Sequence, residues 1–131
     1  MFPDMSSETY HEPIELLSEG TKNMHRALVS LREELEAVDW YQQRAEACTD
    51  AELRAVLLHH LEEEVEHAMM NLEWLRRNDR VFQEKIDIYL NSQGPITEVE
   101  AAEEAAKLGA TAKAGAMAPS GALGIGSLKG T

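Results

Sequence analysis

The chain has little of what secreted, membrane-bound or nucleic-acid-binding proteins need. Cys48 is its one cysteine, so no intramolecular disulfide can form and a reducing interior is expected. Basic residues are scarce: 12 Lys and Arg stand against 24 Asp and Glu, for a net charge of -12. A surface of that sign repels a phosphate backbone and attracts cations, so nucleic acid is not expected as a partner. No run of ~18 apolar residues is present to cross a bilayer, and no membrane partner is expected. Met1 to Glu12 lacks the basic-then-apolar order of a secretory signal. The composition predicts a cytoplasmic chain with one small domain and appendages.

What the chain does have is long helical periodicity. Residues 1–11 carry Pro3, Ser6, Ser7 and Thr9 without a period and are expected to be a flexible leader. A helical domain is expected over 12–96. Its first helix should start near Glu12-Pro13, because Pro is tolerated in a first turn. Ile14, Leu17, Thr21, Met24, Leu28, Leu31, Leu35 and Val38 then recur at steps of three and four, a seam suited to packing on another helix. Gly20 interrupts the pattern. The helix should end near Ala47-Cys48. Thr49-Asp50-Ala51-Glu52 reads as a capping box with Thr49 as the cap, opening a second helix from about Asp50 to Asn78. Two helices of ~30 residues joined so tightly predict an antiparallel hairpin about 45 Å long. A short third helix is expected over Val81 to Leu90, stopped by Gly94-Pro95. The fold class is therefore all-α. Residues 97–122 form an acidic, then Ala/Gly-rich stretch: helix is conceivable over 97–107, and a flexible linker is expected over 108–122. Leu123 to Gly130 turns apolar again. An apolar peptide on such a tether reads as a docking tag.

The chemistry concentrates in His59-His-Leu-Glu-Glu-Glu-Val-Glu-His67. Leu53, Leu57, Leu61, Ala68 and Leu75 fall within about 60° of one direction on the second helix. Glu64 lies inside that stripe, with His60 and His67 on its edge. A carboxylate on a core-facing stripe is costly unless its charge is compensated. Glu64-x-x-His67 is the spacing with which di-iron carboxylate bundles present their ligands. On the first helix Glu34 lies near the Leu31/Leu35 seam, whereas Glu33 and Glu36 point almost opposite, beside Trp40. One chain thus carries half a site. Two chains, each giving Glu34, Glu64 and His67, would complete a di-metal centre of four carboxylates and two imidazoles, a set that suits iron or manganese. Glu33 and Glu36 read first as solvated acids on an outer face, with a metal-attracting pair as the alternative. His60 reads as an edge histidine or a further ligand, and Tyr41 as a hydrogen-bonding neighbour or a core residue. Met24, Met69 and Met70 read as packing residues.

Four segments resemble the encapsulated ferritins: Leu35-Glu-Ala-Val-Asp-Trp-Tyr41, Glu63-Glu-Val-Glu-His67, Leu72-Glu-Trp-Leu-Arg-Arg-Asn78 and Gly94-Pro-Ile-Thr97. Leu123-Gly-Ile-Gly-Ser-Leu-Lys-Gly130 resembles the cargo-loading peptide that binds the inner wall of encapsulin shells. The resemblance implies a ferritin-like antiparallel two-helix hairpin that completes its four-helix-bundle di-iron site by dimerisation, with a disordered C-terminal tail. It implies a homodimer assembling into a ring of five dimers, a homodecamer held inside an encapsulin nanocompartment. The implied activity is that of a ferroxidase, oxidising Fe(II) to Fe(III) and delivering iron for storage in the shell. Carried over by position, the di-iron ligands fall on Glu34, Glu64 and His67, and the site-adjacent tyrosine on Tyr41. The carboxylates that gather incoming metal fall on Glu33 and Glu36, which would hold calcium or another divalent cation. Gly20 and His60 depart from the family pattern. Three other classes stay open at this point: a non-catalytic helical scaffold tethered to a shell, a different di-metal enzyme, and a metal-binding cargo protein without turnover.

Overall fold

A computed structural model describes residues 10–117, with side chains to residue 112. Residues 1–9 of the expected leader and the docking tag over 123–131 lie outside the described residues. The described residues are all-helical. A 3-10 turn over Ile14–Leu16 precedes α1 (Glu19–Ala47), α2 (Ala51–Asn78), α3 (Arg80–Tyr89) and α4 (Ile96–Met117). The chain divides into two compact units, Met1–Gln83 and Glu84–Thr131. None of the described helices is long and apolar enough to cross a membrane.

In the first unit α1 and α2 pack against each other as an antiparallel hairpin. At 29 and 28 residues, each helix is about 42 Å long. The start of α1 differs from the sequence expectation of about Glu12. Pro13 and Leu17 are extended (ψ 131° and 135°), and the helix begins behind Ser18, whose hydroxyl accepts the Thr21 amide at 3.1 Å. A side-chain cap satisfies an otherwise orphaned N–H, which proline at the expected start cannot do. Gly20 therefore falls in the first turn rather than mid-helix.

The cap of α2 is Asp50, not Thr49. Its carboxylate accepts the Leu53 amide at 2.7 Å, and a charged acceptor suits the positive end of the helix. Across the turn, Arg54 Nε donates to the Ala45 carbonyl at 3.0 Å. That bond satisfies a C-terminal carbonyl of α1 with a side chain from α2, and so pins the hairpin at its closed end.

The interior of the hairpin is thin. Ala45, Ala68 and Leu75 are the buried hydrophobic residues among those described. Two alanines at the contact allow close approach of the helices. Parts of both expected apolar faces remain uncovered: in the α1 seam Leu28 is 42% exposed and Leu35 51%, and in the α2 stripe Leu53 is 50% exposed. Met69 and Met70, expected to pack, are exposed as well. Among the described residues these apolar side chains are about half covered, because one hairpin buries only one stripe of each helix.

Near its C-terminal end α2 is braced by a charged network. Glu73 accepts Arg76 Nε and Nη2 at 2.8 and 2.9 Å, and Arg77 Nε at 2.6 Å. These bonds to the ionised form, those from Arg76 first, hold the Glu73 carboxyl down at about 2. Asp79 then ends α2 and begins α3 at once: its amide donates to the Leu75 carbonyl, and its carboxylate accepts the Phe82 amide at 2.8 Å.

In the second unit, α3 ends at Tyr89 and the chain turns through Asn91 (φ 64°) and Gly94 (φ 80°). Ser92 Oγ donates to the Tyr89 carbonyl at 2.7 Å. The flexible linker expected over 108–122 is corrected through residue 117, where α4 is still helical. The alanines of Ala101-Ala-Glu-Glu-Ala-Ala and Ala110-Thr-Ala favour helix strongly enough to carry it across Gly109 and Gly115.

Candidate metal centre

The hairpin brings Glu34 of α1 to Glu64 and His67 of α2. Helix periodicity does most of this work. Glu64 and His67 are three apart and share a face, and antiparallel pairing sets Glu34 opposite them. One ligand atom from each residue lies within 4.8 Å of the other two. His67 Nδ1 is 3.6 Å from Glu34 Oε2 and also 3.6 Å from Glu64 Oε2. Both separations exceed a hydrogen bond. They do match two ligand atoms on one ion. Bonds of about 2.1 Å, ordinary for nitrogen and oxygen on first-row ions, put donors about 3.0 Å apart at a right angle and about 4.2 Å apart in line.

The side chains are partly shielded: Glu34 is 26% exposed, Glu64 22% and His67 44%. Each keeps an open flank, so the group is a half-open cup at the surface of one hairpin. Carboxylate oxygens and an imidazole nitrogen, with no thiolate among them, suit iron or manganese.

The remaining candidates lie around this cup. Tyr41 is outside the three-residue group. Its ring faces the His60 imidazole at 5.2 Å between centroids. His60 therefore lies against an aromatic ring, toward the hairpin turn from Glu64. Arg44, which the sequence reading did not single out, holds its guanidinium 5.2 Å from the Tyr41 ring and 5.9 Å from the Trp40 ring. The signal was available, since Arg44 follows Trp40 by four residues and Tyr41 by three, the spacings at which a cation reaches an aromatic ring on a helix. Glu33 and Glu36 are exposed on α1. The structure does not bring them into the three-residue group. His25 stacks near Tyr10 at 4.3 Å.

Comparison with known proteins gives this arrangement a context. The chain is 58% identical over 127 residues to an encapsulated ferritin-like protein of Rhodospirillum rubrum, a match spanning 95% of this chain and 91% of that protein. It is 47% identical over 94 residues to a ferritin-like protein of Thermotoga maritima, across 72% of this chain and 82% of that one. A crystal structure of a protein from Nitrosomonas europaea superposes with a TM-score of 0.64 at 55% identity, covering 66% of this chain and 96% of that one. The model of the EncFtn-like family matches residues 9–93, the stretch that holds Glu34, Glu64 and His67. The chain belongs to the EncFtn-like family of encapsulated ferritin-like proteins.

Proposed function

We propose that two copies of the chain pair through their open cups and oxidise Fe(II) to Fe(III) at a shared di-iron centre. The observation that carries this is the position of His67 Nδ1, 3.6 Å from a carboxylate oxygen on each helix and hydrogen-bonded to neither. A second copy would supply three more ligands and cover apolar residues such as Leu28 and Leu35. In this reading the acid-rich surface, with Glu33 and Glu36 exposed on it, gathers Fe(II) by charge. Glu34 and Glu64 supply negative oxygens, which favour Fe(III) over Fe(II) because the attraction grows with the ion's charge. His67 supplies a neutral nitrogen. Two Fe(II) give up two electrons, and one O2 takes them with two protons to form hydrogen peroxide. Ferric iron then leaves for storage.

The reading extends to assembly. Dimers assemble into a ring of five, and Leu123 to Gly130 docks the chain inside an encapsulin shell. The name of the Rhodospirillum rubrum relative, an encapsulated ferritin-like protein, supports such packaging. The test is an anaerobic Fe(II) titration followed by admission of oxygen. The expected outcome is one Fe(II) bound per chain, sedimentation as a dimer or larger, and uptake of one O2 for every two Fe(II). Binding without faster oxidation than in buffer would instead indicate a metal-binding cargo protein without turnover.

A further inference from the structure

Arg44 stands apart from the other arginines. The chain has seven, and with 24 Asp and Glu present acceptors are plentiful. Arg26 bonds to Glu19 and Asn23, Arg54 to the Ala45 carbonyl, and Arg76 and Arg77 share Glu73. Arg32 and Arg80 interact as well. Arg44 contacts rings only, 5.9 Å from the Trp40 centroid and 5.2 Å from that of Tyr41. Among the described residues nothing accepts its N–H groups. The sequence itself keeps acids off it. The positions three and four residues to either side, where a carboxylate could reach, hold Trp40, Tyr41, Ala47 and Cys48. Asp39, the nearest acid before it, is occupied by Gln43, whose Nε2 donates to it at 3.0 Å.

The same residues shape a recess. Trp40, Gln43 and Arg44 line an open cavity of about 240 Å³. Trp40 is 48% exposed, and its indole N–H, a donor only, also has no acceptor among the described residues. Two unpaired donors thus meet at this recess, one of them permanently charged. Contact with two rings restrains the guanidinium, whose N–H fork matches two oxygens of one anion. We infer that Trp40, Gln43 and Arg44 form a binding site for a small tetrahedral oxyanion of the phosphate class. Arg44 supplies the charge and a bidentate pair of bonds. A tetrahedral anion has further oxygens for a second donor, where a carboxylate would fill the fork alone. The site lies ten residues from Glu34, about 15 Å along α1, and does not rest on the proposed oxidation of Fe(II). The chain's negative charge opposes any free anion. Acids beyond about 8–10 Å are screened at physiological salt, so binding is weak and confined to Arg44.

The test is a titration of the metal-free full chain with inorganic phosphate at constant ionic strength, followed by phosphorus-31 line broadening. A second readout is tryptophan emission in Trp74→Phe, which leaves Trp40 as the one tryptophan. Saturable broadening and a saturable emission change are expected, with at least ~10-fold weaker binding in Arg44→Gln, because a bond between charged groups is lost. Circular dichroism shows that the variants keep the helical fold. Absence of saturation, or equal binding by Arg44→Gln, overturns the site. An equal response to acetate overturns the tetrahedral class. Phosphate that never binds, together with self-association that Arg44→Gln abolishes in sedimentation, overturns the inference in favour of a carboxylate from a second copy.

Discussion

Binding of a redox-stable divalent ion at Glu34, Glu64 and His67 is expected to stabilise the hairpin. Mn(II) is the suitable probe, because it shares iron's preference for carboxylate and imidazole yet is not consumed by oxygen on the timescale of melting. The native state holds the three ligand atoms within 4.8 Å. The unfolded chain separates Glu34 from Glu64 by 30 residues and offers no preformed site. An ion that binds the native state alone, at a hundred times its Kd, adds about 2.7 kcal/mol. In a domain of this size each kcal/mol moves Tm by roughly 4–8 °C. The expected rise is therefore about 10–20 °C in differential scanning calorimetry, and more if the ion also joins two chains. Glu64→Ala and His67→Ala should fold without metal and lose most of the shift. A rise of equal size in both variants would refute the reasoning, since it would mean that Mn(II) stabilises through the general acidic surface.

Three further predictions follow from other parts of the chain. Leu75 is the one large side chain fully buried among the described residues, so Leu75→Ala should cost about 2–5 kcal/mol in urea unfolding; a cost below about 1 kcal/mol would show that the hairpin core lies elsewhere. Glu73, held at about 2 against an ordinary 4.5 by Arg76 and Arg77, should contribute stability that is complete above pH 4.5 and lost as pH falls toward 2, because the unfolded carboxyl protonates first. Carbon-13 titration of its carboxyl should give a midpoint near 2, and a midpoint near 4.5 would mean the arginine bonds do not persist in solution. Deleting residues 123–131 should leave Fe(II) oxidation intact while abolishing co-purification with an encapsulin shell; loss of oxidation as well would assign those residues a structural role.

Much of the Glu34, Glu64 and His67 group was legible in the sequence because its geometry is local to helices. Glu64 and His67 share a face at any i, i+3 spacing, and Glu34 separates from Glu33 and Glu36 by angle alone. What joins the two helices was less legible. The contact of Tyr41 with His60 depends on the register of α1 against α2, which the turn at Asp50 and the Arg54–Ala45 bond fix. Helix ends were displaced for a related reason. Ser18 and Asp50 won their caps through short hydrogen bonds, where Pro13 and Thr49 read equally well as letters. The length of α4 was missed because alanine and glycine compete: a linker and a helix differ little in composition, and alanine prevails. The expected seam lies in α1 from Thr21 to Val38 but not at Ile14 and Leu17, which precede α1, and periodicity does not say which partner covers it. In one chain Leu28 and Leu35 stay open.

The most direct test of the central claim is aerobic oxidation of Fe(II) by purified wild-type protein beside Glu64→Ala, followed by absorbance of the ferric product, with circular dichroism to show that both are helical. The account predicts clear acceleration over buffer by the wild type and a return to the buffer rate in Glu64→Ala. Equal rates for two equally helical proteins would contradict it, and would leave Glu34, Glu64 and His67 as an acidic patch on a helical scaffold.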